Sequence, residues 1–350
     1  MFKLCKRDNM VDLKRLAVNI RTVVFIGTFL IPALLYFVIS NHATSNVRSY
    51  QTIPKWTSEL YESTDSAANN RKRLSHAVQK VRLLCVIMTM EKDLATKVAA
   101  VNDTWVPRCD KYLYIITTKE KRNDFMSLDI PDKRQNLALK MRKVFTTIYE
   151  QYMDQFDYVL KCDDDTYVIV ENLKFLLWHY DANKPSYFGF HFNKFIDSGY
   201  MSGGAGYVIS NKGIRLLVER GYQHGVCDLE KHEDDPDNSE DVETGRCLQT
   251  VGVPPLSSLD ADGRETFHPY PLERHLDGHL PGFMFSWAKH SIRKGDGCCS
   301  KYSISFHYVP PHAIYYLHHV LYKTTVFGLN HDEDLIRPVF NSENVVFETR

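Results

Sequence analysis

Strand-like and helix-like segments alternate along residues 81–162, and this alternation limits the fold more than any other feature of the chain. Apolar runs rich in β-branched residues predict buried strands, and apolar residues at three- to four-residue spacing predict helices. The expected strands cover residues 81–89, 112–117 and 158–162, and the expected helices cover residues 92–101 and 137–152. Such alternation is typical of a mostly parallel sheet covered by helices, so we expect an α/β fold.

Three consecutive carboxylates, Asp163, Asp164 and Asp165, follow the last of these strands. Ligands of α/β sheets bind beyond the carboxyl ends of the strands. In extended chain Asp163 and Asp165 project to one side and Asp164 to the other, so at most two of them naturally share one ion. Two carboxylates suit Mg²⁺ or Mn²⁺, which neutralises and orients the phosphates of a substrate. A solvated acidic turn explains the same residues without a ligand, and both interpretations stay open at this point.

Residues 22–39 form an uncharged apolar segment about as long as a helix that spans a bilayer. The cations before it are Lys3, Lys6, Arg7, Lys14, Arg15 and Arg21. This excess predicts a cytosolic tail at 1–21, a signal anchor and a luminal C-terminal part. A cleaved signal peptide is the alternative, but the segment is long for one and no convincing small-x-small site follows. The polar residues 40–80 are typical of a stem, so the globular domain is expected to begin near Val81.

Composition removes one class of partner. The chain has 43 Lys and Arg against 43 Asp and Glu in 350 residues, so no overall charge attracts nucleic acid. The same length is enough to bury one sizeable core. Function must therefore come from local sites.

Seven of the eight cysteines follow the predicted anchor, in a compartment where disulfides persist. Position suggests pairs of Cys85 with Cys109 and of Cys227 with Cys247, whereas Cys298 and Cys299 could pair with each other or elsewhere. Because seven is odd, at least one thiol stays free, and Cys162 beside the carboxylates is the candidate. Zinc is the competing explanation, but the chain has no Cys-x-x-Cys pair.

Five separated motifs closely resemble those of the core 1 β1,3-galactosyltransferases, which are glycoprotein-N-acetylgalactosamine 3-β-galactosyltransferases. The motifs are KCDDDTYVIVENL at 161–173, YMSGGAGYVIS at 200–210, ETFHP at 265–269, GCCS at 297–300 and SFHYV at 305–309. The resemblance covers residues 81–329 and implies a GT-A glycosyltransferase fold there. It also implies a UDP-galactose donor, Mn²⁺ as cofactor, and an inverting transfer to the 3-hydroxyl of GalNAc α-linked to Ser or Thr of a glycoprotein. Residence in the Golgi membrane, or between endoplasmic reticulum and Golgi, agrees with the predicted anchor, and a homodimer is compatible with the resemblance.

By the same resemblance, the metal ligands are Asp163, Asp165 and His307. Taken alone, a histidine in this aromatic context is more often a satisfied core residue. Residues 240–245 (EDVETG) resemble a family motif that supplies the base, which assigns Asp241 as base and Glu240 as a supporting acceptor contact. Residues 239–241 also form an expected N-cap and acidic first turn of a helix, which needs no catalysis.

The remaining assignments divide into donor and acceptor contacts. Expected on the donor side are Thr89, Trp105, Asp163, Asp164, Gly203 and Gly204, and on the acceptor side Tyr200, Ser202, Glu240, Trp287 and Tyr308. Trp105 could equally be a core residue, and core burial is also the commoner role of the aromatic residues on the acceptor side. Residues 102–104 form an N-glycosylation sequon, and a glycan at Asn102 would contradict burial of that segment.

Some segments depart from the family pattern. Residues 190–194 are less basic than in related enzymes, residues 230–237 resemble an acidic insertion, and the tail at 330–350 has no recognisable role. The serious rival is another β1,3-glycosyltransferase with a different donor or acceptor. A non-catalytic, chaperone-like relative of the transferase is the other alternative, but it lacks the aspartate motif that this chain retains.

Overall fold

The computed structural model describes residues 74–227 and 239–325, all within the unit Asp65–Arg350. No helix among these residues is both long enough and apolar enough to cross a bilayer. Four of the expected segments lie outside the described residues: the cytosolic tail at 1–21, the anchor at 22–39, the acidic segment at 230–237 and the C-terminal tail at 330–350.

The strands are short, and most are buried. They are β1 Leu83–Met88, β2 Lys111–Ile116, β3 Phe125–Ser127, β4 Tyr158–Asp163, β5 Tyr167–Val168, β6 Tyr187–Gly189, β7 His191–Phe192, β8 Tyr200–Met201, β9 Tyr207–Ser210, β10 Phe267–His268 and β11 Ser305–Phe306. Six of them form the main sheet in the order β3-β2-β1-β4-β9-β6. Within it only β9 runs against the others, since it pairs antiparallel with both β4 and β6. The prediction of a mostly parallel sheet is confirmed.

Helices cover the sheet. They are α1 Ala99–Asn102, α2 Leu137–Gln151, α3 Val170–Trp178, α4 Asn211–Leu216, α5 Glu240–Thr250, α6 Leu272–Asp277, α7 Gly282–Trp287 and α8 Pro311–Tyr322. The side chains of β1 alternate between two hydrophobic clusters: Leu83, Cys85 and Ile87 join one, and Leu84 and Val86 join the other. This two-sided burial explains why β1 is an unbroken apolar run.

A second, three-stranded sheet positions the site. Its order is β10-β11-β5, with β11 parallel to β10 and antiparallel to β5. Because β5 follows β4 after the turn at 164–166, this pairing brings the end of β11 to the carboxylates that follow the main sheet.

The disulfides agree with the positional suggestions. Cys85 pairs with Cys109, Cys227 with Cys247, and Cys298 with Cys299, while Cys162 is buried and free. In the chain-entropy account, closing a loop of the size between Cys85 and Cys109 stabilises the fold by about 3 kcal/mol.

Two boundaries differ from expectation. Residues 74–79 are helical, and Val78 is buried, so folded structure extends into the expected stem before Val81. The helical segment expected at 92–101 is a short 3₁₀ turn at Glu91–Asp93, a π-helical turn at Leu94–Val98 and then α1. π-Helical turns occur often at functional sites, and this one carries Lys97, which reaches the carboxylates.

Candidate metal and sugar-nucleotide site

The turn after β4 sends its carboxylates in two directions, as the alternation of extended chain predicts. Asp163 and Asp165 face the imidazole of His307, whose Nε2 lies 3.7 Å from Asp163 Oδ2 and 3.2 Å from Asp165 Oδ1. The three ligand atoms lie within 4.8 Å of one another, and this is the one such group among residues 74–227 and 239–325. The structure therefore brings the three predicted metal ligands together.

Backbone hydrogen bonds hold His307 in place directly after β11. Its N–H donates to the carbonyl of His268 at 3.0 Å, and the N–H of Val309 donates to the carbonyl of Asp165 at 2.9 Å. Tyr308 between them has a φ of 57°, which is uncommon for a residue with a Cβ, and its ring stacks on the imidazole with centroids 3.8 Å apart. The segment from His307 to Val309 is thus held by one backbone hydrogen bond to β10 and one to the turn after β4.

This group fits a divalent cation. Two ligand atoms that each stand about 2.1 Å from one ion lie no more than about 4.2 Å apart, and the two distances from His307 Nε2 to the carboxylates satisfy this limit. Asp165 Oδ1 is buried and lies 3.2 Å from the imidazole of His307 without a well-aligned hydrogen bond, and a cation bound between the two groups would offset the cost of this burial. Oxygen ligands with one imidazole suit Mn²⁺ or a similar metal. The turn could therefore bind a metal rather than being a solvated acidic turn.

Asp164 points away from this group, into the protein. Its Oδ2 accepts a hydrogen bond from Thr89 Oγ1 at 2.7 Å, and its Oδ1 lies 3.1 Å from Lys97 Nζ. Burial raises the pKa of Asp164 to about 6, although Thr89 and Lys97 both oppose the shift. Thr89 and Asp164, both expected near the donor, are therefore neighbours with little exposed surface.

Lys97 is a functional candidate that sequence reasoning missed. Its ammonium lies 3.1 Å from both Asp164 Oδ1 and Asp165 Oδ2, and its side chain is about one-third exposed at 31%. Burial opposes ionisation of Asp165, but His307 and Lys97 outweigh it and lower the pKa of Asp165 to about 2. The signal was available, because Lys97 follows the first strand in a segment that opens at the ligand-binding edge of the sheet.

A second lysine, Lys161, lies inside the protein behind the carboxylates. Its Nζ donates to Asp163 Oδ1 at 3.0 Å and to the carbonyl of Gly203 at 3.3 Å, and lies 3.1 Å from Glu240 Oε2. Burial alone would lower the pKa of Lys161, but Asp163 and Glu240 raise it above its ordinary value. The ammonium is therefore a fixed positive charge within the protein.

Glu240, the first residue of α5, is almost completely buried. It is 6% exposed, and besides Lys161 it accepts hydrogen bonds from Tyr207 at 2.5 Å and Thr244 at 3.2 Å. Burial raises the pKa of Glu240, while Lys161 opposes the shift. Because the protein itself engages both of its oxygens, Glu240 anchors the start of α5, and its expected contact with the acceptor stays a prediction.

Asp241 occupies the more open position beside it. The N–H of Gly203 donates to Asp241 Oδ2 at 2.8 Å, and the Ser239 hydroxyl donates to Asp241 Oδ1 at 2.7 Å. The expected helix start is present, with Ser239 before an acidic first turn, although Ser239 bonds to Asp241 rather than to a backbone N–H of the helix. The carboxylate is thus half-buried and held in one orientation.

The glycine loop separates Asp241 from the metal group. A Cβ on Gly203 would stand 3.1 Å from Asp241 Cβ, and one on Gly204 would stand 2.0 Å from His307 Cε1. Because glycine has no Cβ, the backbone at Gly203 and Gly204 can approach Asp241 and His307 closely.

The expected acceptor residues lie at different depths. Tyr200 is buried and stacks on Phe195 with ring centroids 6.2 Å apart, and Ser202 is buried within the loop, with its oxygen accepting from Ala205 at 3.4 Å. Trp287 is half-buried with its ring edge-on to Phe195 at 5.0 Å. Tyr308 is 54% exposed and so offers a free ring face or edge beside His307.

Trp105 lies elsewhere. It is completely buried in the core, so it offers no surface to a donor, and the alternative interpretation as a core residue is the one that its burial supports. Asn102 is half-buried in α1, where its Oδ1 accepts a hydrogen bond from Tyr114 at 3.4 Å.

Comparisons with known proteins agree with the motifs. Residues 78–307 match the profile of the Fringe-like family. A Xenopus laevis protein named glycoprotein-N-acetylgalactosamine 3-beta-galactosyltransferase 1 is 38% identical over 254 residues, which cover 71% of this chain and 69% of that protein.

More distant relatives carry other names. A Mus musculus beta-1,3-glucosyltransferase is 25% identical over 58% of this chain and 42% of its own length. A Homo sapiens chondroitin sulfate glucuronyltransferase is 26% identical over 61% of this chain and 27% of its own length. The chain thus spans less than half of each of these two relatives.

Among solved structures, the catalytic domain of Drosophila beta1,4galactosyltransferase 7 in complex with xylobiose matches 39% of this chain and 52% of its own, with a TM-score of 0.23 and 13% identity. That likeness is too weak to support an argument. The family match and the 38% identical relative are sufficient without it. The chain belongs to the Fringe-like family and, within it, to the core 1 β1,3-galactosyltransferases.

Proposed function

We propose that this protein is an inverting β1,3-galactosyltransferase with a GT-A fold, which moves galactose from UDP-galactose to the 3-hydroxyl of GalNAc α-linked to Ser or Thr. The observation that carries the proposal is the position of Asp241 across the glycine loop from the group of Asp163, Asp165 and His307. A metal ligand set on one side of a close-approach loop and an oriented carboxylate on the other are the two parts that an inverting transfer needs.

Asp163, Asp165 and His307 would hold Mn²⁺, which supplies neutralisation and orientation of the donor diphosphate. Lys97 adds a second cation to the same region. Thr89 and Asp164 hold Lys97 in position, since Asp164 is hydrogen-bonded to both Thr89 and Lys97. In this arrangement Lys97 assists the negatively charged part of the donor.

Asp241 would act as the base that removes the proton from the acceptor hydroxyl. The Gly203 N–H fixes Oδ2 and the Ser239 hydroxyl fixes Oδ1, so the carboxylate keeps its orientation before the acceptor arrives. Glu240 does not share this task, because it is 6% exposed and ion-paired with the buried Lys161, whereas Asp241 is half-buried. Trp287 and the exposed Tyr308 are the aromatic surfaces offered to the acceptor sugar.

The cellular setting follows from the sequence outside the described residues. We propose that residues 22–39 anchor the protein as a single-pass type II membrane protein of the Golgi, with 1–21 cytosolic and the catalytic domain luminal. The disulfides at Cys85–Cys109 and Cys227–Cys247 support an oxidising compartment. A homodimer remains a prediction that sedimentation of the full-length protein in detergent checks.

The test is transfer from a panel of UDP-sugars to a GalNAc-α-Thr peptide by the full-length protein, with Mn²⁺ and with chelator. We expect galactose transfer that chelator abolishes. Transfer of glucose or glucuronic acid instead would favour the alternative of a different donor, which the names of the distant relatives motivate. Binding of UDP without any transfer would favour a non-catalytic role.

A further inference from the structure

Lys161 has all of its hydrogen-bonding capacity used inside the protein. Its side chain is 5% exposed, and its three donors meet three acceptors, namely Asp163 Oδ1, Glu240 Oε2 and the Gly203 carbonyl, at 3.0 to 3.3 Å. An ammonium carries three N–H donors, so this set is complete. Such full pairing is what makes burial of a lysine tolerable.

Each acceptor belongs to a different part of the site. Asp163 presents its other oxygen, Oδ2, to the metal group, 3.7 Å from His307 Nε2. Glu240 begins α5, and the next residue is Asp241. Gly203 accepts from Lys161 through its carbonyl and donates to Asp241 through its N–H. Thus the ammonium of Lys161 contacts the predicted metal ligand Asp163, the helix that carries Asp241 and the loop between them.

We propose that Lys161 is a positioning residue that fixes the metal ligand Asp163 and the base Asp241 relative to each other. Its hydrogen bond to Asp163 Oδ1 turns this carboxylate so that Oδ2 faces His307. Through Glu240 and Gly203, Lys161 also holds the start of α5 at the glycine loop. The inference rests on the proposed function, because it deepens the roles given there to Asp163 and Asp241. Groups that orient a metal ligand from behind typically contribute 10- to 100-fold to metal affinity or activity.

The charge of Lys161 also keeps two carboxylates compatible. Asp163 and Glu240 approach the same ammonium at 3.0 and 3.1 Å, so without it two negative groups would face each other in a buried region. The two carboxylates would then turn away from each other, which moves Asp163 Oδ2 away from His307 and loosens the start of α5.

The experiment compares Lys161→Met with Lys174→Met in the full-length protein. Lys174 is a matched control, because its side chain is 9% exposed and it pairs with one carboxylate, Asp110, at 2.6 Å, away from the site. Binding of Mn²⁺ alone is measured from the electron paramagnetic resonance signal of free Mn²⁺. We expect about 10- to 100-fold weaker binding in Lys161→Met and wild-type binding in Lys174→Met. Equal binding by all three proteins, or an equal loss in both variants, would overturn the proposal.

Glu240→Gln tests the contact of Lys161 with Glu240 separately from its contact with Asp163. It leaves Lys161 on Asp163 and removes the charge that holds α5, so Mn²⁺ affinity should stay close to that of the wild type while kcat falls at least about tenfold at saturating Mn²⁺ and donor. Lys161→Met should keep a lowered kcat even at Mn²⁺ concentrations that saturate it. Full recovery of kcat at saturating Mn²⁺ in Lys161→Met would refute the proposal that Lys161 positions Asp241.

Lys161→Met leaves a buried pair of carboxylates and could fail to fold, so the double variant Lys161→Met/Glu240→Gln is measured beside it. It removes the charges of Lys161 and Glu240, and its thermal unfolding is measured to check that the fold is kept. The double variant should still bind Mn²⁺ about 10-fold or more weakly, because nothing orients Asp163. A wild type that binds Mn²⁺ but transfers no galactose would refute the proposed function, while the binding comparison still tests Lys161.

Discussion

His307 lies so close to Gly204 that a Cβ at Gly204 would stand 2.0 Å from His307 Cε1. The glycine is therefore required by the imidazole rather than by its own backbone angles, which are not among those with positive φ. Hydrogen bonds hold the two segments against each other. Ser305 Oγ, two residues before His307, donates to the carbonyl of Ala205 at 2.5 Å, and Thr166 Oγ1 donates to the carbonyl of Gly204 at 2.7 Å. Neither partner has room to move.

Gly204→Ala should therefore displace His307 and weaken metal binding. We expect at least about tenfold weaker Mn²⁺ affinity, with loss of chelator-sensitive transfer, as for disturbance of a ligand's support. Isothermal titration with Mn²⁺ and UDP measures it. Gly282→Ala is the control, because a Cβ there meets nothing within 4 Å, and it should behave as the wild type. Unchanged Mn²⁺ affinity in Gly204→Ala would argue against His307 as a ligand.

Asp165→Ala should abolish metal-dependent nucleotide binding, because it removes the buried Oδ1 that lies 3.2 Å from His307 Nε2 and the Oδ2 that pairs with Lys97. Asp124→Ala is the control, since it removes a carboxylate that pairs only with Arg122 at 2.6 Å, near the protein surface. Calorimetry with UDP, with and without Mn²⁺, distinguishes the two. Normal Mn²⁺-dependent UDP affinity in Asp165→Ala would show that the metal site lies elsewhere.

Asp241→Asn should act on turnover and leave binding nearly intact. The amide keeps the size of the side chain and an oxygen for the Gly203 N–H, but it cannot take a proton from the acceptor. We expect kcat to fall about 100-fold or more, the usual loss of a general base. Steady-state kinetics with a GalNAc-α-Thr peptide, alongside calorimetry with Mn²⁺ and UDP, checks both parts. A variant with wild-type kcat would remove Asp241 from the role of base.

Glu265 predicts a pH dependence of stability that is independent of catalysis. Its Oε1 is buried without a hydrogen-bond partner, and burial raises the pKa of Glu265 from 4.5 to about 8. Between about pH 4.5 and pH 8 the folded protein holds a proton that the unfolded chain has lost. The stability contribution is therefore complete below about pH 4.5 and is lost as pH rises toward 8, by at most roughly 1.4 kcal/mol per pH unit.

Glu265→Gln cannot ionise and should remove this dependence. The variant should match the wild type in free energy of unfolding near pH 5 and exceed it at about pH 8.5, as urea denaturation at the two pH values measures. Glu273→Gln, at an exposed position of α6, provides the matched control. Equal pH dependence of the wild type and Glu265→Gln would mean that Glu265 finds a partner in solution.

The local parts of the site could be predicted from the sequence, because they depend on neighbours in the chain. The strand that ends at Asp163 and the opposite directions of Asp164 and Asp165 follow from a period of two. Asp241 at the start of a helix follows from the acidic first turn. His307 could be assigned only by family resemblance, since its pairing with the carboxylates depends on the contact between β11 and β5.

The two lysines were missed for a physical reason. A lysine is almost always exposed, so residue type alone singles out neither Lys97 nor Lys161 in a sequence that is one-quarter charged, and only the position of Lys97 after the first strand gave a signal. Only the fold shows that Lys161 is buried in β4 between carboxylates that attract it. The burial of Glu240 was missed for the same reason, because its buried partner was not anticipated.

The three-ligand group joins two distant parts of the chain, the turn after β4 and the residue after β11. Since no short segment contains all three side chains, the group exists only once β11 has paired with β5, late in the sequence. A cation that binds only the folded form stabilises it by mass action. Retention of Mn²⁺ would then report that β11 has paired with β5, and a chain truncated before His307 would keep Asp163 and Asp165 yet lose that report.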